Sequence, residues 1–365
     1  MNIIHVVPHY PPSLGGMEVV AQELAQRQAK AGNNVTVLTS THAARAGTHK
    51  PQANLTVHRL RFISVANTPI IPGIFFKILS AKKPAIVHLH VAMAATPEMT
   101  AVAAALRGIP YIVHFHLDVG PLGRFAFLLP TYKQHFLGRV MRNAKKVVCL
   151  ADSHKVFLEQ TYKIPKQRIQ VIPNGVGEAY FLPAKKKQNK VPVILSVGRL
   201  SVQKDIPMAI RAVANMKNNV IYRIVGDGDQ LELLKKVIAE TGTKRVQLLG
   251  PLHGAHKIAQ YKQSDICLMA SEREGMPISL LEAMAAGHAL VVSDIDGLRE
   301  TVGSAGILVK PRTPEAFTKA LDSMLKSKGA LAKYQSRSRA RAVQYTWDTV
   351  CHEFETLYAE VLNAR

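Results

Sequence analysis

The segment Ser271-Glu-Arg-Glu-Gly-Met-Pro-Ile-Ser-Leu-Leu-Glu282 decides the fold of this chain. It follows the apolar run 266–270, which predicts a buried strand, and good helix formers continue after it as far as Gly287. Gly275-Met276-Pro277 predicts the turn between strand and helix, with Pro277 at the first helical position. The segment therefore predicts a strand, a tight turn and a helix in direct succession.

Two acidic residues, Glu274 and Glu282, lie on either side of this predicted helix start. The free backbone N–H groups of residues 276–279 favour an anion such as a phosphate. Each carboxylate can then bind a hydroxyl-rich group beside that anion, which describes a nucleotide sugar with ribose on one side and a hexose on the other. The alternative, an ordinary loop carboxylate and a solvated helix residue, is less favoured because the pair comes with a strand, a turn and an apolar helix.

Composition indicates a two-domain protein of a reducing compartment. The length of 365 residues is natural for two domains, and 47 % hydrophobic residues can fill sizeable cores. Cys149, Cys267 and Cys351 lie far apart without a disulfide framework or a metal-spaced cluster, which predicts the cytoplasm. We expect no signal peptide and no membrane-spanning helix, since no apolar run reaches the roughly 18 residues that spanning requires.

The net charge of +22 is unevenly distributed. Residues 40–150 hold 14 Lys and Arg residues against two acidic residues, Glu98 and Asp118, and the apolar stretches 62–79 and 122–129 lie among them. Basic residues beside apolar ones suit an anionic membrane surface. Nucleic acid is the competing polyanion, but no nucleic-acid motif or aromatic ladder accompanies the charge, so we expect no nucleic-acid partner. The alternative is that the phenylalanines of these stretches are ordinary core residues, namely Phe75, Phe76, Phe125 and Phe127.

Short β-branched runs alternate with helical patterns along the whole chain, which predicts an α/β protein with parallel sheets covered on both faces. A Lys- and Pro-rich stretch at 181–192 interrupts the alternation and predicts a linker. We therefore expect two tandem Rossmann-like, doubly wound domains that face each other across a cleft. Their predicted bounds are 1–182 together with the amphipathic C-terminal helix at 347–365, and 183–346. Strands are predicted at 3–7, 35–39, 55–60, 85–90, 111–116, 147–151, 169–172, 193–197, 222–225, 246–249, 266–270, 289–293 and 307–309, and helices at 17–31, 97–106, 125–143, 153–160, 207–216, 230–240, 277–286, 314–325 and 347–362.

Ligands of such sheets bind at the carboxyl ends of the strands, so the loops there are the candidate site. Gly15-Gly16 follows the first strand and precedes a helix, where an anion is favoured. Gly198-Arg199 and Lys204 follow the first strand of the second domain. The guanidinium and ammonium groups of Arg199 and Lys204 would grip a diphosphate and stabilise it as a leaving group.

Two further loops are ambiguous. The loop with Gly226 and Gly228 and the loop 249–253, which contains Leu252, can border a nucleobase through their backbone groups, or they can be plain turns. Two D-x-D triplets, at 227–229 and 294–296, are interpreted as turn and cap chemistry rather than metal ligands, because Arg199 and Lys204 already supply positive charge.

Pairs of histidines occur at two strand ends, in His88-x-His90 and His114-x-His116. A metal site there is conceivable, but neutral histidines near a pocket are the favoured interpretation. We expect no metal. His116, with Asp118 two residues further on, is the better candidate for contact with a sugar hydroxyl.

These motifs together resemble those of the retaining glycosyltransferases of family 4, which have the GT-B architecture, and the resemblance spans nearly the whole length. It depends on the E-x7-E segment from Glu274 to Glu282 above all, and its other motifs are Gly15-Gly16-Met17-Glu18, Pro173-Asn174-Gly175-Val176, Gly198-Arg199-Leu200 with Lys204, and Gly226-Asp227-Gly228.

The resemblance implies roles for these residues. The second domain would hold a UDP- or GDP-sugar and the first domain the acceptor. Arg199 and Lys204 would contact the diphosphate, and Glu282 the ribose. Glu274 would contact the sugar ring and phosphate together with the backbone of Gly275, Met276, Pro277 and Ile278. Gly16 would close on the diphosphate, and His116 would lie near the transferred sugar. No cofactor is implied beyond the donor itself, and the favoured scheme of the family, front-face attack assisted by the departing phosphate, requires no dedicated base.

The chain departs from the family pattern in two places, since the family often has Lys-Gly where this chain has Lys204-Asp205, and Gly-Gly where it has Asp296-Gly297. We expect an enzyme that transfers a sugar without a bound metal to a lipid-linked acceptor at the cytoplasmic membrane face. A soluble acceptor, a nucleotide-sugar epimerase of related fold and a non-catalytic nucleotide-binding relative are the alternatives. A dehydrogenase is least favoured because the dinucleotide glycine pattern is missing.

Overall fold

The computed structural model describes residues 1–13, 15–42, 44–65, 68–91, 95–118, 127, 129–183 and 189–364. The chain divides into two compact units, Met1–Asn174 with Trp347–Arg365, and Gly175–Thr346. The second unit thus begins at Gly175, before the predicted start at position 183. Contacts of its first residues explain the difference, because Val176 pairs with Thr346 and the Tyr180 ring packs edge-on against Tyr261.

The first unit is built on a sheet of eight strands in the described residues, ordered β10-β9-β8-β7-β1-β2-β4-β3. All neighbours are parallel except the β3–β4 pair, and β5 and β6 form a separate antiparallel hairpin. The strands are β1 Asn2–Val6, β2 Asn34–Ser40, β3 Gly47–Gln52, β4 Leu55–Leu60, β5 Ile63–Val65, β6 Thr68–Ile70, β7 Ala85–Val91, β8 Tyr111–Phe115, β9 Lys146–Cys149 and β10 Ile169–Val171. The helices are α1 Gly16–Lys30, α2 Gly73–Leu79, α3 Thr96–Arg107, α4 Leu129–Tyr132, α5 Gly138–Asn143 and α6 Asp152–Tyr162, with a π-helical turn Lys133–Leu137 between α4 and α5.

The second unit has an all-parallel sheet of six described strands in the order β13-β12-β11-β14-β15-β16. The strands are β11 Val193–Val197, β12 Ile221–Val225, β13 Val246–Leu248, β14 Ile266–Met269, β15 Ala289–Ser293 and β16 Gly306–Val309. The helices are α7 Ile206–Ala214, α8 Leu231–Thr241, α9 Gly254–Gln263, α10 Ile278–Ala285, α11 Asp296–Val302, α12 Pro314–Met324 and α13 Lys328–Ala342. Counted within the unit, the strand order is 3-2-1-4-5-6, that of a doubly wound Rossmann fold.

The final helix, α14 Trp347–Asn363, packs on the first unit. Its buried residues repeat at helical spacing, so that one stripe of the helix is covered while the other face carries charge. That stripe contains Val350, Phe354, Leu357, Tyr358 and Val361.

The predicted fold class, α/β with two Rossmann-like sheets, is confirmed, and every predicted strand is present. The central strands β7, β14 and β15 are buried along their whole length, as parallel sheets covered on both faces require. The polar edge strand β3 and the helices α2, α9, α11 and α13 were not predicted. Pro277 was predicted at the first helical position. In the structure it is instead the N-cap residue that precedes α10.

The phenylalanines of the basic region divide between core and surface. Phe75 packs against the core of the first unit, whereas the side chains of Phe76 and Phe127 are 67 % and 73 % exposed. Phe125 lies outside the described residues, as do parts of the predicted linker and of the predicted helix 125–143. No helix in the described ranges is long and apolar enough to span a membrane.

Candidate functional site

The candidate site of the second unit lies where its chain topology reverses. β11 and β14 are neighbours in the sheet, but the connections from them run to opposite sides. The loops after these two strands therefore leave a crevice at the carboxyl edge of the sheet. The residues that line this crevice include Gly198, Arg199, Leu200, Lys204 and Ser271, so the structure brings the predicted cationic loop and the start of the E-x7-E segment together.

The two predicted cations differ in their surroundings. Nζ of Lys204 forms an ion pair with Oε1 of Glu274 at 2.6 Å, and the Glu274 side chain is only 7 % exposed. Arg199 is exposed, and its guanidinium group has no hydrogen bond or ion pair to any residue that the structure describes. The site thus offers one free guanidinium beside a lysine that a buried carboxylate holds in place.

The departure from the family pattern at Asp205 has a structural explanation. Asp205 has φ of 44°, in the left-handed region that glycine adopts most readily and that Asp tolerates better than most residues. Its carboxylate also accepts a 2.7 Å hydrogen bond from Arg312, which stabilises the loop. The aspartate therefore occupies a glycine-like conformation, and the backbone that carries Lys204 keeps a tight turn.

Glu282 is 4 % exposed and is held by two donors that the sequence analysis missed. Nζ of Lys257 lies 2.7 Å from Oε1, and the hydroxyl of Tyr261 donates to Oε2 at 2.7 Å. Both donors come from α9, and Lys257 also lies over the ring of Tyr180. The spacing of Lys257 and Tyr261, four residues apart on a helix that begins after a strand, was the signal available in the sequence.

Glycines let the loops of this edge pack backbone to backbone. A Cβ added to Gly226 would lie 1.9 Å from the carbonyl oxygen of Gly198. One added to Gly297 would lie 2.1 Å from the carbonyl oxygen of Gly275 and 2.4 Å from that of Glu274. Gly297 therefore supports the segment that carries Glu274, and Gly226 supports the loop that carries Arg199.

The remaining predicted residues of the second unit are placed as follows. Leu252 is half-buried in the loop after β13, while Gly275, Met276 and Ile278 are buried ahead of and at the start of α10. Both D-x-D triplets have local roles in turns and caps. Asp227 accepts from the backbone N–H of Gly228, and Asp294 and Asp296 both accept from Arg299.

In the first unit, Gly15 and Gly16 lie at the start of α1. A Cβ added to Gly15 would collide with the carboxylate of the buried Glu18, whereas one added to Gly16 would meet open space. His116 follows β8, and its Nε2 lies 3.0 Å from Nδ1 of His90. Asp118 accepts hydrogen bonds from Lys133 at 2.7 Å and from the Tyr162 hydroxyl at 3.2 Å.

Comparison with known proteins finds related families for both units. The profile of the family described as Glycosyltransferase Family 4 matches residues 14–179, and that of Glycosyl transferases group 1 matches residues 181–342. An uncharacterized glycosyltransferase of Methanocaldococcus jannaschii is 27 % identical over an alignment of 402 positions, which covers 98 % of each chain. A GDP-mannose:cellobiosyl-diphosphopolyprenol alpha-mannosyltransferase of Xanthomonas oryzae is 26 % identical over 387 residues, 99 % of this chain and 97 % of that one.

Among solved structures, Anabaena HepE in complex with UDP and glucose superposes with a TM-score of 0.79 at 19 % identity, covering 98 % of this chain and 100 % of that one. Fold, loops and family profiles thus define an enzyme of the glycosyltransferase class with the GT-B architecture. Within that class, the chain belongs to the family 4 glycosyltransferases, as the resemblance predicted.

Proposed function

We propose that this enzyme transfers a hexosyl group from a UDP- or GDP-sugar to a hydroxyl group with retention of anomeric configuration and without a bound metal. The observation that carries the proposal is the presence, at one crevice, of the Lys204–Glu274 ion pair and of an exposed Arg199 whose guanidinium group has no partner among the described residues. The buried hydroxyl of Ser271, which lines the same crevice, has no hydrogen-bond partner among the described residues. A diphosphate group suits both features, since it accepts from Arg199, Lys204 and a hydroxyl.

The proposed chemistry breaks the bond between the anomeric carbon and the diphosphate, and it forms a bond from the acceptor oxygen on the same face of the sugar. The acceptor proton passes to the departing diphosphate oxygen, so no side chain has to take it. Arg199 and Lys204 stabilise the charge that develops on the leaving group. Glu274 keeps Lys204 in position and contacts the sugar, and Glu282 binds the ribose hydroxyls in exchange for one of its present donors.

The relatives support both candidate nucleotides. HepE was solved with UDP, and the Xanthomonas enzyme is named for GDP-mannose. We therefore leave the base open in the proposal and test both.

The catalytic role is tested by turnover at saturating donor. Removing one preorganised donor to a developing charge costs about 3–4 kcal/mol, so we expect Arg199→Ala and Lys204→Ala each to lower kcat by roughly 10²–10³. Arg337→Ala, an exposed arginine of α13 in the same unit, is the control and should be unchanged. Near-normal kcat in both site variants would refute leaving-group stabilisation.

NMR of donor incubated alone tests the epimerase alternative, which requires an epimerised sugar without any acceptor.

We further propose that the acceptor is lipid-linked and that the enzyme works at the cytoplasmic face of a membrane. The Xanthomonas relative is named for a polyprenol-linked acceptor, which agrees with an apolar, basic surface on the first unit. We define the α2–α3 face as the exposed side chains of Phe76, Val102, Leu106, Lys82 and Lys83.

The α2–α3 face combines apolar and basic groups at one place. Phe76 and Leu106 are 67 % and 68 % exposed, and α2 packs against α3. The C-terminal ends of the two helices meet, because Arg107 donates to the carbonyl of Ala81 at 3.3 Å. Apolar side chains can enter the headgroup region while each nearby lysine contributes about 1 kcal/mol toward an anionic surface.

Vesicle co-sedimentation tests this proposal with phosphatidylcholine vesicles that contain or lack phosphatidylglycerol. We expect binding only to the anionic vesicles, weakened by NaCl because salt screens the attraction. Phe76→Ser with Leu106→Ser should abolish it. Val156→Ser with Val343→Ser, which removes comparably exposed apolar groups elsewhere, should not. Binding that ignores both lipid charge and salt would contradict the proposal and favour a soluble acceptor.

A further inference from the structure

Five histidines form a connected cluster inside the first unit. Three parallel strands contribute them, and the strand register sets His5 beside His88 and His90 beside His114. Neighbouring rings lie 4.1–5.4 Å apart between centroids. The members are His5 on β1, His88 and His90 on β7, and His114 and His116 at the end of β8; all except His116 are fully buried.

One hydrogen-bonded arm runs from the strand end into the interior. His116 Nε2 lies 3.0 Å from His90 Nδ1, and His90 Nε2 lies 3.1 Å from His5 Nδ1. The arm ends on α1, where His5 Nε2 lies 2.8 Å from Oε1 of the buried Gln28.

A second arm leaves the same glutamine and returns to β8. Nε2 of Gln28 donates to the hydroxyl of Tyr358 at 3.2 Å, and that hydroxyl lies 2.5 Å from Nδ1 of His88. Nε2 of His88 lies 3.1 Å from Nδ1 of His114. The seven side chains thus form one continuous chain that begins at His116 and ends two residues away at His114.

Each contact in this chain holds one hydrogen, so the direction of one contact sets the direction of the next. The Gln28 amide donates to Tyr358 and accepts from His5. A neutral imidazole has one N–H and one lone pair. Every ring of the chain must then carry its hydrogen on Nε2, and this applies to His5, His88, His90, His114 and His116.

Among the described residues, the two ends of the hydrogen-bonded chain have no further partner, and they have opposite character. Nδ1 of His116 has no hydrogen-bond partner among the residues described, and it carries a lone pair. Nε2 of His114 is buried without a partner in the described ranges, and it carries a hydrogen. His116 can therefore accept a hydrogen bond from a ligand while its own N–H is used within the chain.

Neutral rings suit this environment better than a metal ion. Two sets of three, His5 with His88 and His90, and His90 with His114 and His116, have ligand atoms within 4.8 Å of one another. A metal would need the lone pairs that accept the hydrogens of the chain. The hydrogen-bond partners of the five rings among the described residues are all uncharged, so a buried dication would have no counter-charge there. Burial also lowers the pKa of His5 to about 4, with the hydrogen bond that His5 donates to Gln28 opposing it, and lowers the pKa values of the other four.

We infer that Gln28 and Tyr358 are positioning residues that fix the tautomer of His116 through this chain, so that Nδ1 of His116 accepts a hydrogen bond from a hydroxyl of the transferred sugar. The identity of that ligand rests on the proposed function, whereas the tautomer does not. The inference also gives the C-terminal helix a part in the site, since Tyr358 belongs to α14.

Nitrogen NMR of the full chain labelled with ¹⁵N-histidine tests the inference, because protonated and unprotonated ring nitrogens have well separated shifts. We expect all five rings as the Nε2–H tautomer. In Gln28→Glu, once the ¹³C shift of the new carboxyl group shows that it is ionised, that group cannot donate, so the Tyr358 hydroxyl must donate to it and accept from His88 instead. His88 and His114 should then change to the Nδ1–H tautomer, although His114 does not touch position 28. Gln26→Glu, on the same helix but outside the hydrogen-bonded chain of side chains, should leave all five tautomers unchanged.

An unchanged His114 tautomer in Gln28→Glu would overturn the inference, and so would resonances that shift when zinc is added or chelated. If Gln28→Glu does not fold, Tyr358→Phe replaces it: His88 then lacks its donor, and His88 and His114 should populate both tautomers. A single unchanged tautomer there would equally contradict the chain. Predicted tautomers in a protein that transfers no sugar would refute the proposed function and leave the chain intact.

Discussion

At the scale of single residues, the acidic groups of the proposed donor site are already paired. Glu274 holds Lys204, and Glu282 holds Lys257 and Tyr261. Because both carboxylates are nearly buried, losing these partners would leave an uncompensated charge, which is costly in a protein interior. A donor that binds Glu282 through ribose hydroxyls must therefore replace a contact of similar quality, so Lys257 and Tyr261 help to set the affinity.

Gly297 makes a restrictive contact with the backbone of the segment that carries Glu274, and this contact gives a stability prediction. In Gly297→Ala the added methyl would lie 2.1 Å from the Gly275 carbonyl oxygen, so the segment 274–275 must move. We expect a loss of about 1–3 kcal/mol in the free energy of unfolding, as for other overpacked sites, measured by urea denaturation.

Gly329→Ala is the matched control for that measurement, since nothing lies within 4 Å of its added Cβ and the residue is in helix α13. It should be neutral or stabilising by up to about 1 kcal/mol. Equal stability of Gly297→Ala and wild type would show that the 274–275 backbone does not depend on this contact.

At the scale of secondary-structure elements, the sequence predicted the helices and strands that have a hydrophobic period or a continuous apolar run. The buried strands β7, β14 and β15 are continuous apolar runs, so their positions were predictable. Strand β3 is exposed at a sheet edge and polar, and helix α13 has few apolar residues, so neither has a hydrophobic period to detect.

The same limit explains what was missed in the site. Glu274, Glu282, Arg199 and Lys204 were predictable because each follows a recognisable strand. The partners of Glu282 come from α9, whose sequence is largely polar and whose approach to α10 depends on the tertiary fold. The four-residue spacing of Lys257 and Tyr261 shows only that the two side chains share one face of a helix, and no local pattern encodes the contact of Tyr261 with a residue 21 positions away.

The packing of three histidine-bearing strands predicts an acid sensitivity of the first unit. The unfolded chain protonates a histidine near pH 6.5, whereas burial, opposed by the Gln28 hydrogen bond, lowers the pKa of folded His5 to about 4. The contribution of His5 to the free energy of unfolding is therefore fully present above pH 6.5 and is lost as the pH falls toward 4. A pKa shift of this size corresponds to a loss of roughly 3 kcal/mol. The pKa values of the other four histidines of the cluster are also lowered, so these residues act in the same direction.

Fluorescence of Trp347 can follow this loss, because it is the sole tryptophan of the chain, is 2 % exposed and begins α14 in the first unit. Urea titrations at pH 7.5, 6.0 and 5.0 should show a falling free energy of unfolding. A constant value across this range would mean that the folded histidines titrate normally.

At the scale of the whole molecule, the two units carry different chemistry. The second unit has the crevice with Arg199, Lys204 and Glu274, and the first unit has the histidine chain and the basic, apolar α2–α3 face. This division agrees with a donor site in one unit and an acceptor site in the other. In the proposed function, the excess of positive charge in residues 40–150 lies in the unit that would bind the acceptor.

Calorimetric titration of the full chain with UDP- and GDP-sugars tests the central claim most directly. We expect one of the two nucleotide classes to bind at a single site, and Arg199→Ala and Glu282→Gln each to weaken binding by roughly 10- to 150-fold, since a hydrogen bond to a charged group contributes about 1.5–3 kcal/mol. Arg337→Ala should bind as wild type does. Failure to bind either class, or affinities that are the same in wild type and both site variants, would contradict the account.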